Sequence, residues 1–456
     1  MDLRELTLKE ALRDINGKKF TAADVTRSCL KAIEEKNSKL NAYLYINKND
    51  VNPSEDGLKS LPIAVKDNIL TKGIRTTASS KVLENYIPPY NSTVAERLLE
   101  NNAYIVGKTN MDAWAHGSST ETSDFGPTLN PWDTTKLPGG SSGGSTAAVS
   151  ADLCIAAIGT ETAGSIRQPA SWCGVVGLKP TYGRVSRYGI ISMASSIDSP
   201  GPITKCVWDA AFLLSILSGL DPYDATTINE PSRDYTKGIE NPIKGTKIGV
   251  PKEYLAASNP EVSQKIMDAV KVLEGFGCIV KEVSLLDPSF SIAVYTIIQR
   301  SEVSSNLARY DGIRYGNSRD SFGEEAKRRI MLGTYTLSAG YYDAFYKRAE
   351  KVRTLIVEDF KRVFNEVDLI AGPVSPSVAL SVGSSKNHPM LGEVSDALVE
   401  PSSIAGLPGI TAPCGFLEGL PVGLGITGPR LSEELILNVA YQYEQSTPWH
   451  EMKPKI

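Results

Sequence analysis

Apolar positions recur every three to four residues from Leu3 to about Ile15, and again behind Thr21 to about Lys36. This spacing predicts two amphipathic helices. Thr21 with Asp24 three residues on predicts a capping box, each side chain serving the other residue's backbone N–H. Asn41 to Asn47 alternates toward a strand, and Lys48 to Ser60 is polar and broken by Pro53 and Gly57, which marks a surface loop. LPIAVKDNI (61–69) then has the apolar run of a buried strand that stops abruptly in Lys66-Asp67-Asn68.

Helix and strand patterns alternate beyond this point. Thr93 to Asn101 reads as a helix and Tyr104 to Val106 as a short strand. Thr246 to Val250, Pro260 to Leu273 and Cys278 to Val283 read as a strand–helix–strand unit. Such alternation predicts an α/β fold with a parallel or mixed sheet covered on both faces by helices. Residues 299–364 are almost entirely helical in pattern, suited to a cover over the sheet. No repeat and no dividing linker appears, so one large domain spanning 1–456 is expected: 1–60 as its leading helices and strand, 61–207 as a central core, and about 299–364 as the helical cover.

Composition narrows the chemistry. The 456 residues are 41% apolar and 22% charged, ordinary for a soluble protein, and include only three histidines, His116, His388 and His450. Most zinc sites and Ser-His-Asp hydrolases need a histidine at a particular place, so their scarcity favours a histidine-free mechanism. His388, in a polar loop before Pro389, and His450, near the terminus, read as surface residues. A net charge of −4 gives no basic footprint for a phosphate backbone. The six cysteines are dispersed without C-x-x-C and read as buried small hydrophobes in a reducing compartment. No 18-residue apolar run and no signal-type apolar segment occurs, so a cytoplasmic protein without membrane contact is expected.

The most unusual local composition is LPGGSSGGSTAAV (137–149). A flexible linker would not run straight into the apolar AAVSADLCIAAIG. A phosphate loop would need a lysine after the glycines, and a dinucleotide fingerprint would need G-x-G-x-x-G; neither is present. A G-x-S-x-G nucleophile elbow matches at 139–143 and 140–144, but glycine-rich runs match it by chance and it lacks a suitable downstream histidine. The fifth reading joins the stretch to GTETAGSIRQPASWCGVVGLKPTYGRVSR (159–187) and to Lys66. Together they supply two serines in glycine-lined turns and a lysine where a strand ends. A buried, neutral lysine can be the base that imidazole usually supplies.

These three segments resemble the amidase signature family of Ser–Ser–Lys hydrolases, most closely over 61–207. The resemblance implies that Ser165 in AGSIR is the nucleophile, that Ser141 is the bridging serine on a cis peptide, and that Lys66 in AVKDN is the base. It also implies that the backbone N–H groups of Thr162, Ala163, Gly164 and Ser165 form an oxyanion hole, worth about 2.7–4 kcal/mol per donor. Ser142 and Ser145 are expected to satisfy loop backbone groups, Arg167 to pair with a carboxylate, and Trp172 and Cys173 to pack the core.

Within that family, KTNMDAWAHGSSTETSDFGPTLNPWD (108–133), SNLARYDGIRYG (305–316) and EEAKRRIMLGTYTLSAGYYDAFYKRAEKVRTLI (324–356) are most similar to the glutamine-hydrolysing A subunits of tRNA-dependent amidotransferases. This similarity implies that Arg329 holds the glutamine carboxylate, that Asp396 holds its ammonium, and that Tyr295 and His116 line the same pocket. It further implies a heterotrimer with B and C subunits. No cofactor is expected in this chain; ATP, Mg²⁺ and most tRNA contacts belong to the B subunit, which amidates Glu-tRNA(Gln) or also Asp-tRNA(Asn). The alternatives are a stand-alone amidase of small or aryl amides and a non-catalytic scaffold subunit. The sequence departs from the family pattern at Ala163, where glycine is usual, at His116 for methionine, at Trp114 for phenylalanine, and in a short loop before Lys66.

Overall fold

The computed structural model describes residues 2–49, 56–314, 316–388 and 390–456. Among these, one mixed sheet of eleven strands is built from β1 (Tyr43–Ile46), β2 (Pro62–Lys66), β3 (Tyr104–Thr109), β4 (Ala156–Glu161), β5 (Val176–Lys179), β6 (Ser199–Thr204), β7 (Lys247–Pro251), β8 (Ile279–Val283), β9 (Leu369–Pro373), β10 (Gly409–Leu417) and β11 (Leu420–Thr427). The strand order is β1-β3-β2-β4-β6-β5-β10-β11-β9-β7-β8. Strand β2 runs parallel to both β3 and β4, whereas β4–β6 and β5–β10 are antiparallel.

Side-chain alternation shows why both faces need a cover. Ile63 and Val65 of β2 pack with Val94, Leu98 and Leu214 on one face, while Ala64 between them packs with Ile33, Ala147 and Ala148 on the other. Lys66, two residues beyond Ala64, shares its side of the strand. That side carries the glycine–serine stretch: Gly143–Ser150 is a helix with every residue buried, which rules out a linker there.

The first predicted helix is interrupted. Leu3–Glu5 is a single 3-10 turn, and Thr7 then caps a helix over Leu8–Asn16 through a reciprocal box with Glu10. The Thr21–Asp24 box forms as the sequence predicts, but its helix continues to Leu40 before Asn41 ends it in a left-handed conformation. The strand expected over Tyr104 to Val106 extends to Thr109. Part of the expected 48–60 loop, residues 50–55, and Pro389 lie outside the described residues. The helical cover comprises Pro288–Leu307, Glu324–Leu337 and Tyr346–Phe364, whose Ile298, Ala326 and Phe360 share an apolar cluster with Ile370 of the sheet. All six cysteines are buried and free.

Candidate active site

Lys66 ends β2 fully buried, and its Nζ donates to the Ser141 hydroxyl at 2.7 Å and to the Thr160 carbonyl of β4 at 3.0 Å. Burial pushes this amine down to about 7, against the carboxylates of Asp112, Asp198, Glu161 and Asp396, which favour its charge. An amine in that range accepts a proton near neutral pH.

The Gly140–Ser141 peptide is cis. Its loop is held from several sides. The Gly140 N–H donates to Gln168 Oε1 at 3.0 Å, the Ser142 hydroxyl donates to the Thr160 carbonyl at 3.1 Å, and the Ser142 N–H donates to the Ser165 carbonyl at 3.1 Å. Glycine is required at 140, because a Cβ there would lie 2.2 Å from Asp112 Oδ2 and 2.5 Å from the Ser119 nitrogen. Ser145 differs from expectation: its hydroxyl meets Thr109 Oγ1 at 2.6 Å instead of serving loop backbone.

Ser165 follows a turn whose shape is set by Glu161, the last residue of β4. One Glu161 oxygen accepts the N–H groups of Ile166 at 3.1 Å and Arg167 at 3.0 Å, while the other receives the Arg167 guanidinium at 2.6 Å. Both side chains are buried, so Arg167 does pair with a carboxylate. The Thr162 hydroxyl donates to Asp198 at 2.7 Å, and the Ser403 hydroxyl donates to the Ala163 carbonyl. The Ala163 methyl, unusual in the family pattern, is absorbed in the same apolar cluster as Met193 and Leu398. The N–H groups of Thr162, Ala163, Gly164 and Ser165 have no acceptor among the described residues, the arrangement an oxyanion hole needs. The structure thus joins Lys66 to Ser141 by a hydrogen bond, and Ser141 to Ser165 through the backbone of their two loops; the two hydroxyls themselves are not hydrogen-bonded.

A cavity of about 370 Å³, lined among others by His116, Ser118, Glu325, Arg329, His388 and Glu393, is linked to this turn through Ser118 and Asp396. The Ser118 hydroxyl donates to Asp396 Oδ2 at 2.7 Å, and Asp396 Oδ1 has no hydrogen-bond partner among the described residues. Asp396 lies against the turn itself, since a Cβ on Gly164 would come within 2.6 Å of Oδ1. Its carboxyl is pushed well above the usual range by burial, which outweighs the Ser118 hydroxyl. Arg329 is buried and donates to Glu325 at 2.7 Å, with Glu393 at 3.7 Å. Tyr295 is buried within the electrostatic reach of Arg329 and Asp396. His116 is buried with neither ring nitrogen hydrogen-bonded among the described residues, and burial together with Arg329 and Arg300 holds it well below its ordinary titration range. Of the predicted pocket residues, Arg329 and His116 line the cavity, Asp396 adjoins it through the lining Ser118, and Tyr295 is not among its lining residues. His388 is exposed at the cavity wall, as expected of a surface residue, whereas His450 is partly buried.

Sequence reasoning missed Glu161, Glu393, Arg300 and Glu400. Glu161 had a local signal, a carboxylate at a strand end just ahead of the serine turn. The other three are distant in sequence and acquire meaning only from packing. Glu400 is fully buried beside the Ser291 hydroxyl, which donates to the Pro288 carbonyl at 2.8 Å, and burial pushes its carboxyl well above the usual range.

Residues 24–437 match the family model described as amidase. The chain belongs to the amidase family. This amidase is 51% identical to the A subunit of glutamyl-tRNA(Gln) amidotransferase from Thermodesulfovibrio yellowstonii and 50% identical to that from Halothermothrix orenii, with the full length of each chain covered. Among solved structures it is similar to the corresponding A subunit from Thermotoga maritima, with a TM-score of 0.88 at 42% identity over 100% of this chain and 98% of the other. A bacterial aryl acylamidase shares the amidase fold at 21% identity, with a TM-score of 0.88 over 99% of each chain.

Proposed function

We propose that this amidase hydrolyses glutamine and supplies the ammonia to a tRNA-dependent amidotransferase as its A subunit. The observation that carries the reading is the buried amine of Lys66 at 2.7 Å from Ser141, on a loop tied to that of Ser165. In this reading neutral Lys66 takes the Ser141 proton while Ser141 takes that of Ser165, whose oxygen attacks the side-chain amide carbon of glutamine. The free N–H groups of 162–165 stabilise the developing oxyanion. The proton held on Lys66 returns through Ser141 to the leaving nitrogen, ammonia departs, and a γ-glutamyl ester remains on Ser165. Water, deprotonated by the same relay, resolves the ester to glutamate.

Specificity for glutamine rests on Arg329 for the carboxylate and Asp396 for the ammonium, with Tyr295 and His116 as walls of the pocket. The similarity over full length to A subunits supports a heterotrimer with B and C subunits. In it the B subunit binds tRNA and uses ATP and Mg²⁺ to amidate Glu-tRNA(Gln), and on the same chemistry Asp-tRNA(Asn). This chain then needs no cofactor of its own. We read 1–456 as one catalytic domain with its signature core at 61–207, acting in the cytoplasm; no helix among the described residues is long and apolar enough to cross a membrane.

The test is ammonia release from glutamine with and without B and C subunits, ATP and Glu-tRNA(Gln), comparing the unsubstituted protein with Ser165→Ala. Release that depends on Ser165 and rises with the partners is expected. Turnover of many simple amides without partners points to a stand-alone amidase instead, and no acylation of Ser165 by an amide-directed probe points to a scaffold role.

A further inference from the structure

Arg329, the cation assigned to the substrate carboxylate, is already ion-paired. Its Nε donates to Glu325 at 2.7 Å, and its Nη2 stands 3.7 Å from Glu393 Oε1. The same Glu393 oxygen accepts from Arg300 Nη2 at the shorter distance of 3.1 Å. Glu393 is only 3% exposed and Arg329 4%, so the three charges interact with little solvent screening. Glu393, Arg329 and His116 line the 370 Å³ cavity, and the buried Tyr295 and the Glu325 carboxylate also lie within reach of both arginines. Arg300 Nε has no hydrogen-bond partner among the described residues, so Arg300 has donor capacity to spare. Glu393 lies on the short helix Leu391–Asp396, and Arg300 lies on Pro288–Leu307 in the helical cover.

A carboxylate entering this cavity meets an arginine whose charge is shared with a protein carboxylate. Bidentate binding requires two guanidinium N–H groups in one plane. With Nε committed to Glu325, the Nη groups are the remaining donors, and Glu393 stands at one of them. We infer that Glu393 is a built-in competitor for the substrate carboxylate, moved away from Arg329 while it keeps its hydrogen bond to Arg300 when a carboxylate-bearing amide binds. Arg300 thereby acts as a positioning residue, holding the displaced Glu393 in a paired state so that ligand entry does not leave a buried carboxylate alone. The ligand class is an amide or acid with a carboxylate, and an amide without one gains nothing from the exchange. The inference rests on the glutaminase reading for the identity of that ligand.

The consequence runs opposite to an ordinary loss of contacts: removing the Glu393 charge tightens binding. The experiment measures the dissociation constant of L-glutamine by calorimetry on the full chain carrying Ser165→Ala, which prevents turnover. Glu393→Gln is expected to lower it by about fivefold or more, because the fraction of binding-competent Arg329 rises. Arg300→Leu is expected to raise it by a similar factor while Glu393 is present, and to have less than about twofold effect in the Glu393→Gln background, since the two act through one exchange. A glutamine constant that is unchanged or raised in Glu393→Gln overturns the inference, as does an Arg300→Leu effect of equal size in both backgrounds. If the parent binds no glutamine, binding that appears in Glu393→Gln supports it and continued absence overturns it. Glutamine hydrolysis by the unsubstituted protein is a separate readout: its absence removes the glutaminase reading and leaves the carboxylate exchange to be judged on binding.

Discussion

Glu161 and Arg167 form an ion pair with both side chains buried, 2.6 Å between Oε1 and Nη2, across the turn that carries Ser165. The carboxylate does two things at once, neutralising the guanidinium and accepting the first N–H groups of the helix Arg167–Cys173. Losing one member of a buried pair leaves the other charge without a partner, at a cost of about 3–5 kcal/mol. Glu161→Gln is therefore expected to lower the urea-unfolding free energy by about that amount. The double variant Glu161→Gln/Arg167→Met should recover part of this stability without recovering amidase turnover, because a neutral side-chain amide serves those N–H groups more weakly than a carboxylate. Equal stability of Glu161→Gln and its parent would show that the pair does not set the turn.

The pH dependence follows from Lys66. Its folded-state value, lowered by burial to about 7, is that of the catalytic base in the proposed relay. The active form is the neutral amine, so kcat/KM should rise with pH on an apparent value near 7, and Lys66→Met should reduce kcat by about 100-fold or more. Stability carries the same signature. Because the folded value lies below the ordinary 10.5, the unfolded chain binds the extra proton between about 7 and 10.5. The cost of burying Lys66 is thus fully present below about 7 and falls as pH rises through that window. Lys66→Met removes this cost. Its stability relative to the parent should improve by about 2.7 kcal/mol between about pH 9 and about pH 6. Parallel pH–stability curves for the two proteins would place the Lys66 titration elsewhere.

How far the sequence was legible depended on the reach of each interaction. The two serine turns and Lys66 were readable because each is a local pattern: glycines around a serine, and a lysine ending an apolar run. The break at Thr7 was also written locally, as Thr-x-x-Glu, but the apolar period continues across it and masks the cap. The extension of β3 through Gly107 and Lys108 was not readable, because a lysine ordinarily ends a buried strand. Lys108 stays inside by donating to the Ile69 carbonyl and to Thr76 Oγ1, partners from a loop far along the chain. The pairing of β5 with β10, more than two hundred residues apart, and the meeting of Arg300, Arg329 and Glu393 are of the same kind. The resemblance named Arg329 and Asp396, but it carried no information on Glu393, whose role depends on what it touches.

The contact between Asp396 and Gly164 yields the sharpest test of the pocket. Asp396 Oδ2 is held by Ser118, while Oδ1 is free beside the oxyanion turn. An ammonium can take that free oxygen, and an amide in place of the carboxylate removes the charge that recognises it. Asp396→Asn should therefore raise the glutamine KM about tenfold or more relative to that for butanamide, since loss of a charge-assisted contact is worth a factor of that order. Gly164→Ala acts on the same contact from the other side. Its methyl would come within 2.6 Å of Oδ1 and 2.8 Å of Val399 Cγ2, so the carboxylate or the turn must shift. Because Gly164 also contributes an N–H to the proposed oxyanion hole, this variant should lower kcat for both amides as well as raise the glutamine KM. The two variants separate the roles: a KM effect confined to glutamine for Asp396→Asn, and a kcat loss shared by both substrates for Gly164→Ala. If Asp396→Asn changed the two amides equally, Asp396 would belong to the turn and not to ammonium recognition.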